Sequence, residues 1–356
     1  MSLIAKDDNT AERDRWPLIA QCFAAALDTP PTERDLMLAN AGADTVVRDA
    51  VRRLLARHES LSLSDDSSGA FLGRLDPDNA ARLLDEPIDD AMPTAIDRFE
   101  VVRELGRGSS GIVYLARDPT LGRRVAVKLL SPWLSANATS ARRFRNEARA
   151  ASVLDHPRIA TVYDIGSTDD NQMFIVMAYR EGVTLRERIA QSAVPFTEAV
   201  TIAVAITDGL SAAHAHGIVH RDVKPENILL TEHGACILDF GIAKLQGETI
   251  TLPGSALGTA AYMSPEQSQG LAVDQRSDIW SLGVVLYEML FGVRPFTGAR
   301  ADVLIRSIRE ESPASLSQHN ADVPSQLMTV VLRALEKSAS RRFQTAAEMR
   351  GALIAT

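Results

Sequence analysis

The segment HRDVKPEN at 220–227 packs a histidine, an arginine, two carboxylates, a lysine and an asparagine into eight residues. A loop this dense in charge, flanked by apolar segments, is hard to explain as solubility alone. Asn227 lies five positions after Asp222, and Asp239 follows twelve after Asn227, at the end of the apolar strand CIL. Both carry oxygen ligands suited to Mg²⁺, a hard cation that favours carboxylates and phosphates. Lys128 sits inside the apolar run RRVAVKLL at 123–130. An ammonium there is costly unless it meets an anion. Glu147 is a candidate partner; the other reading is a lysine at a strand end that reaches solvent. The chain has 5 lysines against 33 arginines, which makes each lysine worth locating.

The elements around these residues can be read from pattern. FEVVREL at 99–105 alternates and is rich in strand formers, and IVYLAR at 112–117 is a second strand pattern. Gly106, Gly108 and Gly111 lie between them. In a dinucleotide-binding fold such a GxGxxG leads from a strand into a helix. Here it leads from strand to strand, so it predicts a hairpin flap whose backbone N–H groups can approach a phosphate without Cβ interference. A plain glycine-rich hairpin is the competing reading. No GK[ST] follows, which excludes a P-loop. RRFRNEARAASVL at 142–154 reads as a helix carrying Glu147, and a long helical stretch precedes His220.

Taken together, GRGSSGIV (106–113), VAVK (125–128), Glu147, HRDVKPEN (220–227), DFG (239–241) and SPE (264–266) resemble the eukaryotic-like (Hanks-type) serine/threonine protein kinases of bacteria. The resemblance covers about 99–350, close to 70% of the chain, and six motifs in order are highly specific. It implies an α+β, bilobal protein kinase fold. A five-stranded antiparallel sheet with one helix (N-lobe, about 99–180) precedes a mainly helical C-lobe (about 181–356). It further implies transfer of the ATP γ-phosphoryl group to Ser/Thr hydroxyls of proteins. In that reading Gly106, Gly108 and Gly111 cover the phosphates, and Lys128 holds them while paired with Glu147. Val113 and Ala126 roof the adenine, Met177 is the gatekeeper, and the hinge Ala178-Tyr179-Arg180 bonds adenine through its backbone. Ala178 stands where the family often has Glu. Asp222 accepts the proton of the attacking hydroxyl, Lys224 contacts the γ-phosphate, and Asn227 and Asp239 hold Mg²⁺, with Mn²⁺ as an alternative. His220 is structural, stacked under Phe240, and Asp278 props the catalytic-loop backbone. Glu266 pairs with Arg342, although the family's Asp-Pro before that arginine is missing from KSASRRF. Arg221 gathers a phosphate placed on the activation loop, for which Thr249, Thr251 and Ser255 are candidates. Thr259 helps select Ser/Thr acceptors.

Two other functions compete. A catalytically dead scaffold of the same fold usually lacks the equivalent of Lys128, Asp222 or Asp239, and all three are present. A small-molecule phosphotransferase lacks the SPE segment and long activation loop that suit a polypeptide acceptor. Ahead of the kinase-like region, residues 1–58 read as a small helical unit. Trp16, Ile19, Ala20, Phe23 and Leu27 recur at helical spacing, and Thr32 with Asp35 forms a capping-box pattern. Asp44 caps a third helix whose stripe is Val47, Val51, Leu54 and Leu55. Residues 59–98 are an acidic linker of net charge −7, carrying Phe71, Leu72, Leu75, Leu83 and Leu84. The helical region is expected to bind a regulatory partner or the kinase domain, and a homodimer stays open. A net charge of −8 argues against a broad nucleic-acid-binding surface. Two cysteines, Cys22 and Cys236, build neither a disulfide framework nor a zinc site and fit a reducing compartment. No apolar run is expected to reach the roughly 18 residues a bilayer span needs. The expected location is cytoplasmic, at the membrane's cytoplasmic face if the chain continues past residue 356.

Overall fold

The computed structural model describes residues 15–27, 29, 34–61, 92–108, 111–131, 138–239, 260–313 and 323–356. Three helices come first: α1 (Trp16–Leu27), α2 (Arg34–Asn40) and α3 (Thr45–Leu61). They bury a core of their own, in which Ile19, Phe23, Leu38, Val47, Val51 and Leu54 are fully enclosed. Asp44 caps α3 as its sequence position predicts, accepting the Val47 N–H at 2.9 Å. Thr32 and the linker's apolar residues lie outside the described residues. Asp35, its predicted capping partner, instead bonds Arg52 of α3 at 2.9 Å.

A six-stranded antiparallel sheet follows, in the order β1-β2-β3-β4-β6-β5. The strands are β1 (Ala95–Ile96), β2 (Phe99–Gly108), β3 (Gly111–Asp118) and β4 (Arg123–Leu130), then helix α4 (Ala138–Ser152), β5 (Val162–Ser167) and β6 (Met173–Ala178). The sheet has one strand more than the sequence predicts. β1 is two residues long and sits inside the stretch read as linker, too short to show a period. Its Ile96 is 2% exposed because it joins Phe99, Val125, Val127 and Phe174 on the sheet's outer face.

The helical lobe carries a three-stranded sheet of β7 (Val183–Thr184), β8 (Ile228–Thr231) and β9 (Gly234–Ile237). Its helices are α5 (Leu185–Gln191), α6 (Phe196–Ala215), the short α7 (Pro265–Ser268), α8 (Gln275–Phe291), α9 (Ala301–Glu310), α10 (Ser325–Ala334) and α11 (Ala346–Ile354). Every residue of α8 from Ser277 to Leu290 is buried, so this helix is the lobe's axis. Against the expectation from sequence, α6 is by length and composition long and apolar enough to cross a bilayer. Its Ala199, Ile202, Ile206 and Leu210 are buried, and it packs on α8, β9 and α11, as a core helix does.

One core runs from Ala126 and Met177 on the inner face of the six-stranded sheet and Phe144 of α4 to Trp280, Tyr287 and Phe343 in the helical lobe. The cleft between the lobes therefore opens along the edge of a shared apolar interior. Side chains that reach it are held by packing on both sides.

Candidate active site

The inner face of the sheet supplies the upper wall of the cleft. In the β3–β4 ladder Val113 lies opposite Lys128, and in the β4–β6 ladder Ala126 lies opposite Met177. Alternation puts Val113, Ala126, Lys128 and Met177 on one face. Gly106 and Gly108 end β2, and Gly111 opens β3 with φ +140°. A Cβ there would run into the Leu129 carbonyl oxygen, so this position admits only glycine. At Gly106 and Gly108 a Cβ would meet nothing within 4 Å. Ala178 ends β6, and its N–H is committed to the Thr161 carbonyl at 2.9 Å. Tyr179 packs under the Arg124 guanidinium at 5.3 Å, and Arg180 is half-buried beside it.

The lower wall is a loop suspended from α8. Asp278, fully buried in the first turn of that helix, accepts the His220 N–H through Oδ2 and the Arg221 N–H through Oδ1, both at 2.8 Å. This is the propping role that the family resemblance implies for it. His214 adds a third contact, Nε2 to Asp278 Oδ2 at 2.8 Å, that sequence reading missed. A histidine on a buried helix face gives no local signal of its partner. Arg221 takes φ +65°, a left-handed conformation that such anchoring sustains.

The tautomer of His220 follows from its partners. Its Nδ1 accepts the Asp222 N–H at 3.2 Å, and its Nε2 meets the Leu238 carbonyl at 3.0 Å. Only a neutral ring with the proton on Nε2 satisfies both. His220 thus ties the catalytic loop to the strand leading to Asp239, and its ring is not placed to act as a base. Phe240, its predicted stacking partner, lies outside the described residues.

Asp222, Lys224, Asn227 and Asp239 converge. Asn227 Nδ2 donates to the Asp222 carbonyl at 2.9 Å and to its Oδ2 at 3.0 Å. Lys224 Nζ lies 3.1 Å from the same Oδ2. Burial opposes the charge of Lys224, but Asp222, aided by Glu226 and Asp239, outweighs it and raises its pKa above the usual lysine value. Because Asn227 spends its N–H₂ on Asp222, its amide oxygen is the atom able to meet a cation. That oxygen and the Asp239 carboxylate make a hard donor pair. Mg²⁺ suits such a pair, because it is commonly held by one or two protein oxygens together with substrate phosphates. Among the described residues no cluster of three or more His, Cys, Asp or Glu side chains forms an all-protein metal cage.

One predicted contact is different. Lys128 Nζ bonds Asp239 Oδ2 at 2.8 Å, while Glu147 Oε1 lies 3.7 Å from Arg221 Nη1. The expected Lys128–Glu147 pair is replaced by two others. The Lys128 ammonium is taken by Asp239, a residue with φ +44°, and Glu147 is left to Arg221. Spacing along the chain cannot choose between such pairings. Arg221, expected to gather a phosphate, meets Glu147. Thr249, Thr251, Ser255 and Thr259 lie outside the described residues.

Glu266 and Arg342 do pair, through two bonds of 2.8 Å, with the arginine side chain wholly enclosed. The missing Asp-Pro does not disturb the register, because the guanidinium also donates to the carbonyls of Glu336, Lys337 and Arg276. Gln267 Nε2 bonds the Arg221 carbonyl at 2.9 Å, tying the segment after the activation loop to the catalytic loop.

A family model described as the protein kinase domain matches residues 99–351. The serine/threonine-protein kinase PknB of Mycolicibacterium smegmatis is 43% identical over 267 residues, 72% of this chain and 43% of the relative. The serine/threonine-protein kinase PrkC of Bacillus subtilis is 41% identical over 256 residues, 71% of this chain and 39% of the relative. The chain thus spans about two fifths of the length of these curated relatives. The crystal structure of the Mycobacterium tuberculosis PknI kinase domain (C20A mutant) superposes with a TM-score of 0.61 at 31% identity, covering 74% of this chain and 98% of that one. Sheet, cleft and convergent loop agree with these likenesses: the chain belongs to the protein kinase family, to the eukaryotic-like branch whose bacterial members are named serine/threonine kinases.

Proposed function

We propose that the chain transfers the γ-phosphoryl group of ATP to serine or threonine hydroxyls of proteins. The observation that carries this reading is the convergence of Lys128, Asp222, Lys224, Asn227 and Asp239 at one cleft edge. The acceptor oxygen forms a bond to the γ-phosphorus as the bond to the β-phosphate oxygen breaks, and ADP leaves. Asp222 takes the hydroxyl proton. Lys128 and Lys224 lie where negative charge builds on the phosphate oxygens, and fixed cations there stabilise the transition state more than the ground state. The Asn227 oxygen and Asp239 would hold Mg²⁺, which would supply further neutralisation of that charge, and Mn²⁺ would suit the same donors. Gly106, Gly108 and Gly111 bring the flap's backbone over the phosphates. Val113, Ala126 and Met177 enclose the base, and the backbone of Ala178 and Arg180 bonds it.

Glu147 and Arg221 give the reading a switch. A phosphate on Thr249, Thr251 or Ser255 would compete for Arg221 and release Glu147 to Lys128, while Thr259 contributes to acceptor choice. The helical unit at 1–58 is the candidate regulatory element, in cis or toward a partner. Both cysteines are free and buried, which fits a reducing, cytoplasmic location.

Mass spectrometry of protein substrates incubated with Mg-ATP tests the activity. Wild type should phosphorylate Ser/Thr hydroxyls, and Asp222→Asn should lose about 10²-fold or more in kcat with ATP affinity kept. An Asp222→Asn enzyme with wild-type turnover refutes the assignment.

A further inference from the structure

A charged network outside the reacting groups is centred on Arg186, the second residue of α5. Its Nε bonds Glu226 at 2.7 Å, its Nη1 bonds Glu288 at 2.9 Å, and its Nη2 bonds the Tyr262 hydroxyl. Tyr262 in turn donates to the other Glu288 oxygen at 2.5 Å. Glu288 and Tyr262 are buried, at 4% exposure each, whereas the Glu226 side chain is 45% exposed. Burial works against the charge on Arg186, yet Glu288 and Glu226 raise its pKa, and burial beside Glu288 raises that of Tyr262. A guanidinium and a neutral phenol thus meet on Glu288, and Arg294 Nε lies 3.7 Å from its Oε1.

Its three arms reach three separate parts of the site. Glu226 belongs to the turn Pro225–Asn227, and so fixes the residue whose amide holds Asp222. Tyr262 lies in the segment that leads from the activation loop into α7, with its carbonyl pinned by Ser281 at 2.8 Å. Glu288 lies ten residues beyond Asp278 on α8, the helix that suspends the catalytic loop. One planar guanidinium thus braces the nucleotide side, the acceptor side and the axial helix at once. A lysine, with a single point charge, could not span the three.

We infer that Arg186 is a positioning residue for phosphoryl transfer: it couples the acceptor-side segment at Tyr262 to the catalytic loop at Glu226, so that an acceptor polypeptide and Asp222 are aligned together. This rests on the kinase reading above. It adds a residue outside the group Lys128, Asp222, Lys224, Asn227 and Asp239 on which that reading rests.

Arg186→Met would leave the buried Glu288 with only Arg294, whose Nε lies 3.7 Å from its Oε1, and is prone to misfold. The test therefore removes the two arms separately, with Glu226→Ala and Tyr262→Phe, and combines them in a double-mutant cycle. Acceptor-peptide kcat/KM, ATP KM and thermal stability are read for wild type, both singles and the double. Each single should lose about 10-fold in peptide kcat/KM, and the double no more than about 10-fold, because either change severs the same coupling. ATP KM should stay within about twofold. In an Arg186→Lys background the coupling between the two arms should vanish. A double variant that loses about 100-fold shows independent arms and overturns the inference, as do singles with wild-type kinetics. An active wild type with an additive cycle sinks this inference alone, while an inactive wild type sinks the kinase reading with it.

Discussion

Lys337 shows how a half-buried charge is held by its surroundings. Its ammonium donates to the Ile308 carbonyl at 2.6 Å and the Ser307 carbonyl at 3.3 Å, closing the last turn of α9. It lies 3.8 Å from the Phe296 ring centre and 5.0 Å from that of Trp280, two rings stacked 5.4 Å apart. Burial pushes its pKa down to about 8 from the model-peptide 10.5, with Glu311 opposing and Arg342 adding to the effect. The folded protein therefore gives up this proton near pH 8, while the unfolded chain keeps it to about 10.5. Between these values the unfolded state binds more protons, so stability gains with rising pH. Urea unfolding at pH 7.5 and 9.5 checks this. Wild type should gain more between the two pH values than Lys337→Met, and equal changes in both contradict it. The neutral amine still donates to Ile308, so the clamp itself survives deprotonation.

At the scale of elements, the flap and the suspended loop carry the site, and each imposes a different demand. Gly111→Ala would drive a Cβ into the Leu129 carbonyl and force a φ of +140° on an L-residue. It should destabilise the protein by about 1–3 kcal/mol, whereas Gly106→Ala, with open space at its Cβ, should cost about 0.5 kcal/mol or less. Thermal unfolding of the two variants side by side checks the contrast, and equal melting points contradict it. These elements were legible in the sequence because the restriction is local. Glycines between two strand patterns, or a dense charged loop between apolar segments, state their purpose within ten residues. β1 was not legible, because two residues show no period and their acidic neighbours read as linker. The Lys128–Asp239 and Glu147–Arg221 pairs were not legible either. Four charges of suitable type lay at known positions, but only tertiary distances decide which neutralises which. The Arg186 brace was missed for the same reason: Arg186, Glu226, Tyr262 and Glu288 are scattered over 103 positions and meet only across folded elements.

For the molecule as a whole, the account depends on one apolar core that reaches from the inner sheet face to α8 and holds both cleft walls. Lys128 hangs from the upper wall; Asp222, Asn227 and Asp239 belong to the lower. Uptake of a nucleotide–metal pair is the event that needs both walls together, since neither alone brings a cation and oxygen donors to the same phosphates. It is measured most directly by isothermal titration calorimetry of the full chain with ATP and Mg²⁺. Wild type should bind one equivalent with an affinity that falls when Mg²⁺ is omitted. Lys128→Met and Asp239→Asn should each weaken it about 10-fold or more, as expected for a lost charge contact of about 1.4 kcal/mol or more. No heat of binding in wild type, or equal affinity in all three proteins, would contradict the account.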